Sequence, residues 1–260
     1  MMIFNLKNII YTIKIMNYIP LKDHKKENLD KYIVLDLDST LVHSSTDMID
    51  LENLKLYSNS SNVALRERIY RFDLIDVGNT HGLGIKTQMW GVFRPHLMEF
   101  VIFMSIYFKE IYIYSAGLYK YVHAISDEIF SNAPLKPSII FSRDECIDQN
   151  GDIIKPLTKI YNSTSGPNET NTLVLDDREG TFALNPYNAI KIPIYEPNSS
   201  IIDFMRDDIC LLQLMYWLSS SDVLKCVDIR TLDKTNIFKI PLNEYTQYMN
   251  QNIINMYMKK

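Results

Sequence analysis

Short apolar runs alternate with helix-like stretches along this chain, and that alternation constrains the fold more tightly than any single motif. Tyr32–Leu35, Ile111–Tyr114, Ser138–Ser142, Thr172–Leu175 and Ala189–Tyr195 are the strand candidates, the last ended by Pro197. From Pro95 onward, Leu97, Phe100, Val101, Met104 and Phe108 repeat at three and four residues, which predicts a core-facing helix with Pro95 in its first turn. Tyr121–Phe130 resumes a helical pattern. Strands separated by helices imply βαβ units. The expected fold class is α/β, with a doubly wound, mainly parallel sheet covered by helices on both faces.

Ligands of such sheets bind beyond the carboxyl ends of the strands. Reading only those ends yields Asp36, Asp38 and Thr40 after the first strand, then Ser115, then Asp176 and Asp177. Residues two apart on a strand point the same way, so Asp36 and Asp38 begin on a common side. Carboxylates converging on one rim repel each other unless a cation lies among them. Oxygen donors of this kind suit Mg²⁺, which binds through one or two carboxylates together with phosphate oxygens. No histidine or cysteine cluster argues for zinc. Phosphate chemistry also needs a hydroxyl donor and a fixed cation. Ser115 supplies the first; Lys155 is the candidate for the second, with Lys159 one helical turn further on.

Around this frame, Ser45–Asn62 is rich in Ser, Asn and Asp and reads as a loop with room for a short helix. Arg68–Val77 and Ile85–Phe93 flank a glycine-rich loop, predicting a β-hairpin flap inserted after the first strand, near residues 68–93. Ile201–Leu218 reads as one apolar helix covering a face of the sheet. The predicted organisation is a lead-in over residues 1–30, one domain over 31–234 and a helical tail over 235–260. In the tail, Leu242, Tyr245, Met249, Ile253 and Met256 form one stripe, suited to docking on the domain or in a partner's groove. Arg94 either starts a helix or reaches the site from beneath the flap, and Arg143 has similar alternatives. His43, His81, His96 and His123 read as surface or packing residues, and the tyrosine and methionine stripes of the helices as core.

Composition narrows the function classes. With 47% hydrophobic residues in 260, the chain can bury an ordinary core. A net charge of −4 and a pI near 5.8 leave no basic footprint, so direct nucleic-acid binding is not expected. Cys146, Cys210 and Cys226 are odd in number and form no CxxC, which suggests neither a disulfide framework nor a zinc knuckle. The apolar start of the chain is interrupted by Lys7, Lys14 and asparagines and is followed by no small-residue cleavage site. It therefore predicts no membrane span and no secretion, and an intracellular protein, nuclear or cytoplasmic.

The motifs also carry a resemblance. DLDSTLVHS is similar to the signature of the haloacid-dehalogenase-like (HAD-like) phosphatases, specifically of the family that dephosphorylates the C-terminal repeat domain of RNA polymerase II. FRPHLMEFV, IYIYSAGLYKYV, RDECIDQNGDIIKPL, LVLDDREG and NPYNAIKI resemble its later segments in order, between Tyr32 and Leu232. This resemblance implies a HAD-like fold and a Mg²⁺-dependent phosphatase acting on a phosphorylated protein or peptide, with the polymerase repeat as the family's example. It implies Asp36 as the nucleophile forming an aspartyl-phosphate and Asp38 as the acid that protonates the leaving oxygen. It implies Thr40 supporting the loop and, with Ser115 and Lys155, phosphate binding. Asp36, Asp38, Asp176 and Asp177 would form the metal site, Asp176 also orienting the lysine. Asp36, beside Mg²⁺ and Lys155, is expected to be held ionised, and Asp38, crowded by negative charge, to keep a proton at a higher pKa. Ser115 stands where the family usually has threonine, and Asp176-Asp177-Arg178 resembles the larger polymerase phosphatases rather than the small ones. Two rival readings are a catalytically inactive binding module of this fold and a HAD-like phosphatase of a small metabolite or a polynucleotide 3′-phosphate.

Overall fold

The computed structural model describes residues 30–56, 62–77, 82–197, 200–239 and 241. The lead-in before residue 30, His81 and the tail stripe from Leu242 lie outside the described residues. In chain order the strands are β1 (Tyr32–Leu35), β2 (Val42–Ser45), β3 (Ile69–Ile75), β4 (Lys86–Phe93), β5 (Glu110–Tyr114), β6 (Ile139–Phe141), β7 (Ile147–Gln149), β8 (Asp152–Ile154), β9 (Thr172–Asp176) and β10 (Ala189–Lys191). The helices used below are α1 (Met48–Asn53), α2 (Leu97–Tyr107), α3 (Tyr119–Phe130), α4 (Thr158–Ser163) and α5 (Cys210–Leu218).

Five strands pair in parallel in the order β10-β9-β1-β5-β6, with β1 at the centre. The centre is apolar throughout because both of its faces are buried. Ile33, Leu35, Ile111, Ile113, Leu173 and Leu175 enter one core with Phe100 and Met104 of α2, Val122 of α3 and Leu211 of α5. The alternate residues Tyr32, Val34, Tyr112, Tyr114 and Val174 enter a second core with Leu157, Ile160 of α4 and Phe182. Each fully buried side chain of this size stabilises the fold by about 1.5–3 kcal/mol. The α/β class and the doubly wound parallel sheet are therefore as the alternation predicts. Among the described residues, no helix is long and apolar enough to cross a membrane.

The insertion after β1 is larger than a hairpin. β3 and β4 pair antiparallel, and β2 adds to β4, giving the order β2-β4-β3. β2 was hidden in the sequence because it is only four residues long and carries three polar side chains. A second hairpin, β7–β8, turns at Asn150 and Gly151, both with positive φ (58° and 89°). That pair is the residue combination a two-residue turn of this hand requires.

Three boundaries differ from expectation. The last strand ends at Lys191 rather than Tyr195, since Pro193 inside the expected run has no N–H for a ladder. The chain then leaves the sheet, and the Tyr195 amide donates to the carbonyl of Ser39 at 2.7 Å. Pro95 lies outside α2, separated from it by His96 in the left-handed region. The expected helix Ile201–Leu218 is split into Ile201–Met205 and α5. At the break the Asp208 carboxylate accepts from the Cys210 amide at 2.9 Å and pairs with Arg94, which holds the chain out of a continuous helix there.

Arg94 is fully buried. Its guanidinium donates to both oxygens of Asp208 (3.1 and 2.8 Å) and to the carbonyls of Thr40 (2.9 Å) and Pro193 (2.8 Å). It therefore braces the loop after β1 from behind rather than lining the site. Removing one partner of a buried pair leaves an uncompensated charge, which costs about 3–5 kcal/mol. Arg94→Met should lower the free energy of unfolding from urea titrations by that amount, and Arg94→Lys, without the planar fork, should recover only part of it.

Candidate active site

The parallel register fixes the site. Leu35 is opposite Ile113 of β5 and Leu175 of β9, so Asp36, Ser115 and Asp176 emerge beside one another as the strands end. The Asp36 amide donates to the carbonyl of Leu175 at 2.9 Å, which extends the ladder to the first site residue. Beyond it the chain reverses tightly: the carbonyl of Leu37 accepts from the amides of Leu41 (2.8 Å) and Val42 (3.0 Å), with Ser39 at φ 59°. This turn returns Thr40 to Asp36. The Thr40 hydroxyl lies 3.2 Å from Asp36 Oδ2 and 3.1 Å from Asp177 Oδ1, so two carboxylates share one hydroxyl proton.

Lys155 follows β8 and is 6% exposed. Its amide donates to the Thr181 carbonyl, and its Nζ lies 2.6 Å from Asp36 Oδ1 and 2.7 Å from Asp176 Oδ2. The other oxygen of Asp176 accepts from the Arg178 amide at 2.9 Å. Asp176 is thus a holder of the lysine, with both oxygens engaged. Lys159, on α4, is not a partner of these carboxylates, which decides between the two candidate lysines.

Asp36, Asp176 and Asp177 each offer an oxygen within 4.8 Å of the others. Asp38, expected in the same set, stands apart from it: its Oδ1 accepts from the Tyr121 hydroxyl of α3. Ser115 is buried, and its Oγ accepts from the Gly117 amide at 3.0 Å, leaving its own proton for another acceptor. The structure therefore brings together Asp36, Thr40, Lys155, Asp176 and Asp177, puts Ser115 on the neighbouring strand end and gives Asp38 a separate partner. Arg143 is exposed and donates to the Ala116 carbonyl at 2.8 Å, bracing the loop that carries Ser115. Tyr121 was missed because a tyrosine within a helical stripe reads as core. The available signal was its position in the first turn of a helix that follows a site strand.

The protein's own groups, taken without a cation, do not push Asp36 and Asp38 in opposite directions. Burial raises the pKa of Asp36; Lys155 pulls it back, and Asp176 raises it again, leaving it pushed up to about 7. Asp38 and Asp177 are also raised, in both cases chiefly by burial. Burial opposes the charge on Lys155, but Asp36 and Asp176 outweigh it and hold the ammonium firmly protonated. Asp36 and Asp38 are therefore distinguished by their partners, an ammonium and a phenol, rather than by opposite shifts.

Comparison with known proteins agrees with the fold. The sequence profile of the NLI interacting factor-like phosphatases matches residues 31–230. The chain belongs to that family. A CTD nuclear envelope phosphatase 1 homolog of Caenorhabditis elegans is 26% identical over 233 residues, covering 88% of this chain and 81% of its own length. The Homo sapiens carboxy-terminal domain RNA polymerase II polypeptide A small phosphatase 1 is 26% identical over 181 residues, 69% of this chain but only 58% of its own length. Among solved structures, the fission yeast RNA polymerase II CTD phosphatase Fcp1 is similar with a TM-score of 0.53 at 20% identity, covering 94% of this chain and 59% of that one. At that identity the likeness bears on the fold alone.

The raised carboxyl of Asp36 has a consequence for stability. A folded-state pKa of about 7 against an ordinary 3.8 means that its contribution is fully present below pH 3.8 and is lost as pH rises through about 7. In EDTA, Asp36→Asn should therefore gain stability relative to the unaltered protein between pH 4.5 and 7.5. Urea midpoints of the two proteins across that interval check this; a constant difference would contradict the shift.

Proposed function

We propose that the protein is a Mg²⁺-dependent phosphatase of phosphoserine and phosphothreonine in proteins or peptides, acting inside the cell through an aspartyl-phosphate on Asp36. The observation that carries this reading is Lys155 fixed between Asp36 and Asp176, with Ser115 on the next strand end. A buried ammonium touching a carboxylate nucleophile is suited to holding a phosphoryl group against it.

The donor set fits a divalent cation. Three buried carboxyl groups face one ammonium, more acid than Lys155 can neutralise if all ionise, and all the donors are oxygens, which suits Mg²⁺. Asp36 and Asp177 would hold it, since Asp176 is engaged by Lys155 and the Arg178 amide. Bound there, the ion would neutralise the charge that otherwise keeps a phosphate dianion away from these carboxylates.

In this reading Asp36 attacks phosphorus through its carboxylate, while Lys155 and the Ser115 hydroxyl bind the phosphoryl oxygens. Asp38 delivers a proton to the departing serine or threonine oxygen, for which its raised pKa is appropriate. The phosphoryl group is then carried as an acyl phosphate on Asp36. Asp38, now ionised, takes a proton from the water that releases it. Thr40 keeps the carboxylates of Asp36 and Asp177 aligned throughout.

A peptide substrate is favoured over a metabolite by an insertion that forms a small sheet rather than a closed cap, and by apolar side chains exposed beside the Ser115 loop. Leu118 is 39% and Tyr119 58% exposed. A net charge of −4 argues against a polynucleotide 3′-phosphate, and the presence of every acidic motif residue argues against an inactive binding module. The polymerase C-terminal repeat, named for several relatives, is the first peptide to try.

Hydrolysis of p-nitrophenyl phosphate should require Mg²⁺ and should fall roughly 10³-fold or more in Asp36→Asn. Equal turnover by the two proteins sinks the proposal. Mg²⁺ at about one hundred times its Kd should add about 2.7 kcal/mol to the stability of the unaltered protein. Asp177→Ala should lose that increment while unfolding no earlier in EDTA, because a like charge has been removed.

A further inference from the structure

A line of hydroxyls runs from the flap sheet to Asp38. Ser44 of β2 and Tyr70 of β3 both stand opposite Gly91 of β4, so the three residues are abreast on neighbouring strands. Strands lie about 4.8 Å apart, which puts the outer two residues roughly 10 Å from each other. A tyrosine spans that distance only by crossing the residue between them. At Gly91 there is nothing to cross: a Cβ there would run into the hydroxyl and ring of Tyr70 and into the His43 carbonyl. The Tyr70 hydroxyl thereby comes within 2.6 Å of Ser44 Oγ. Ser44 Oγ is in turn 2.5 Å from the hydroxyl of Tyr121, which donates to Asp38.

Each hydroxyl has one proton, and that fixes the direction of the chain. Tyr121 uses its proton on the carboxylate, so in its contact with Ser44 the serine is the donor, and the Tyr70 hydroxyl is left to donate to Ser44 Oγ or to the His43 carbonyl at 3.4 Å. Burial keeps both phenols protonated. Such a line polarises along its length, and each member fixes the next. The rings are held as well. Tyr70 packs on Phe93 with centroids 4.9 Å apart and on Phe72 at 5.9 Å, and Phe72 lies 6.4 Å from the ring of Tyr121. On the other side of Tyr121, Gly117 leaves space that a Cβ 2.9 Å from the Tyr121 ring would close.

We infer that Tyr121 and Ser44 are positioning residues that fix the carboxyl group of Asp38 for proton delivery, and that Tyr70, admitted by Gly91, ties this function to the flap sheet. The inference rests on the reading of Asp38 as the proton donor. With Oδ1 committed to Tyr121, the second oxygen is the one left to face the leaving group. Neither tyrosine needs to touch the substrate for this. Without the chain, Asp38 keeps its carboxyl group and its place in the sequence but loses the contact that selects one orientation of its side chain.

Leaving-group dependence separates this role from a merely structural one. Departure of serine alkoxide needs a proton, whereas 2,4-dinitrophenolate departs without one. The quantity to compare is kcat/KM, which covers the steps through departure of the alcohol. Tyr121→Phe should lower it about 10- to 100-fold for a phosphoserine peptide and less than about 3-fold for 2,4-dinitrophenyl phosphate. Ser44→Ala and Tyr70→Phe should give the same split at smaller size. In an Asp38→Asn background, Tyr121→Phe should add no further loss on the peptide, since the group it positions is gone. Tyr121→Phe and Tyr70→Phe remove only a hydroxyl, and melting curves identify any variant that does not fold. Equal losses on the two esters, or full additivity with Asp38→Asn, overturn the inference while leaving the phosphatase reading intact. Equal turnover of the dinitrophenyl ester by the unaltered protein and Asp36→Asn overturns both.

Discussion

One buried ammonium sits between two carboxylates at the carboxyl edge of the central sheet, and much of the local architecture exists to keep it there. Lys155 contacts Asp36 from β1 and Asp176 from β9, so a single side chain joins two neighbouring strand ends to the β7–β8 hairpin. Ion pairs this deeply buried contribute little net stability, because desolvation offsets most of their attraction. Their geometry is specific, however. A lysine with two short carboxylate contacts cannot move without abandoning at least one negative charge in a low-dielectric pocket. The same pocket holds one carboxylate that Lys155 does not touch, Asp177, linked to Asp36 through the hydroxyl of Thr40. The arrangement makes sense as half of an electrostatic system whose other half is a cation and a phosphate.

A second buried cation supports the first from behind. Arg94 does not reach the carboxylates; it holds the Thr40 carbonyl, the Pro193 carbonyl and Asp208 together. The turn that returns Thr40 to Asp36 is therefore fastened to the chain after β10 and to the start of α5. Site precision in this protein is bought with two basic side chains of different kinds. The rigid fork of Arg94 joins loops, whereas the compact ammonium of Lys155 can face a phosphoryl oxygen when one arrives.

The parts legible in the sequence are those whose physics is local. β1, β5 and β9 are apolar because both faces are buried, and their ends carry polar residues because the site begins there. Asp36, Thr40, Ser115, Asp176 and Asp177 could be read from that contrast alone. From the residues alone Lys155 was one of two candidate lysines, and only the family resemblance chose it, because the physical reason is the hairpin turn at Asn150-Gly151 that ends β7 and returns the chain. The role of Arg94 was not legible, since its partner Asp208 lies 114 residues away and sits inside an apolar stretch that otherwise looks like continuous helix. Tyr70 and Tyr121 escaped for a related reason. Their rings pack as core residues do, and only their hydroxyls, meeting through Ser44, distinguish them from core.

The division of labour between Asp36 and Asp38 looks different once these contacts are known. Two carboxyl groups with raised pKa values, two residues apart, could exchange roles if their surroundings were alike. Their surroundings differ in charge. Asp36 touches an ammonium, which stabilises its ionised form and attracts the phosphoryl oxygens to the same spot. The groups that hydrogen-bond Asp38 are neutral hydroxyls, Tyr121 first, which orient a carboxyl while burial keeps its pKa raised. The sequence spacing puts both acids at one strand end, but the assignment of nucleophile and proton donor follows from what each meets there: a hairpin lysine in one case, and a hydroxyl line from the flap in the other. A substitution that exchanged a charged partner for a neutral one at either position would blur that assignment even with both aspartates unchanged.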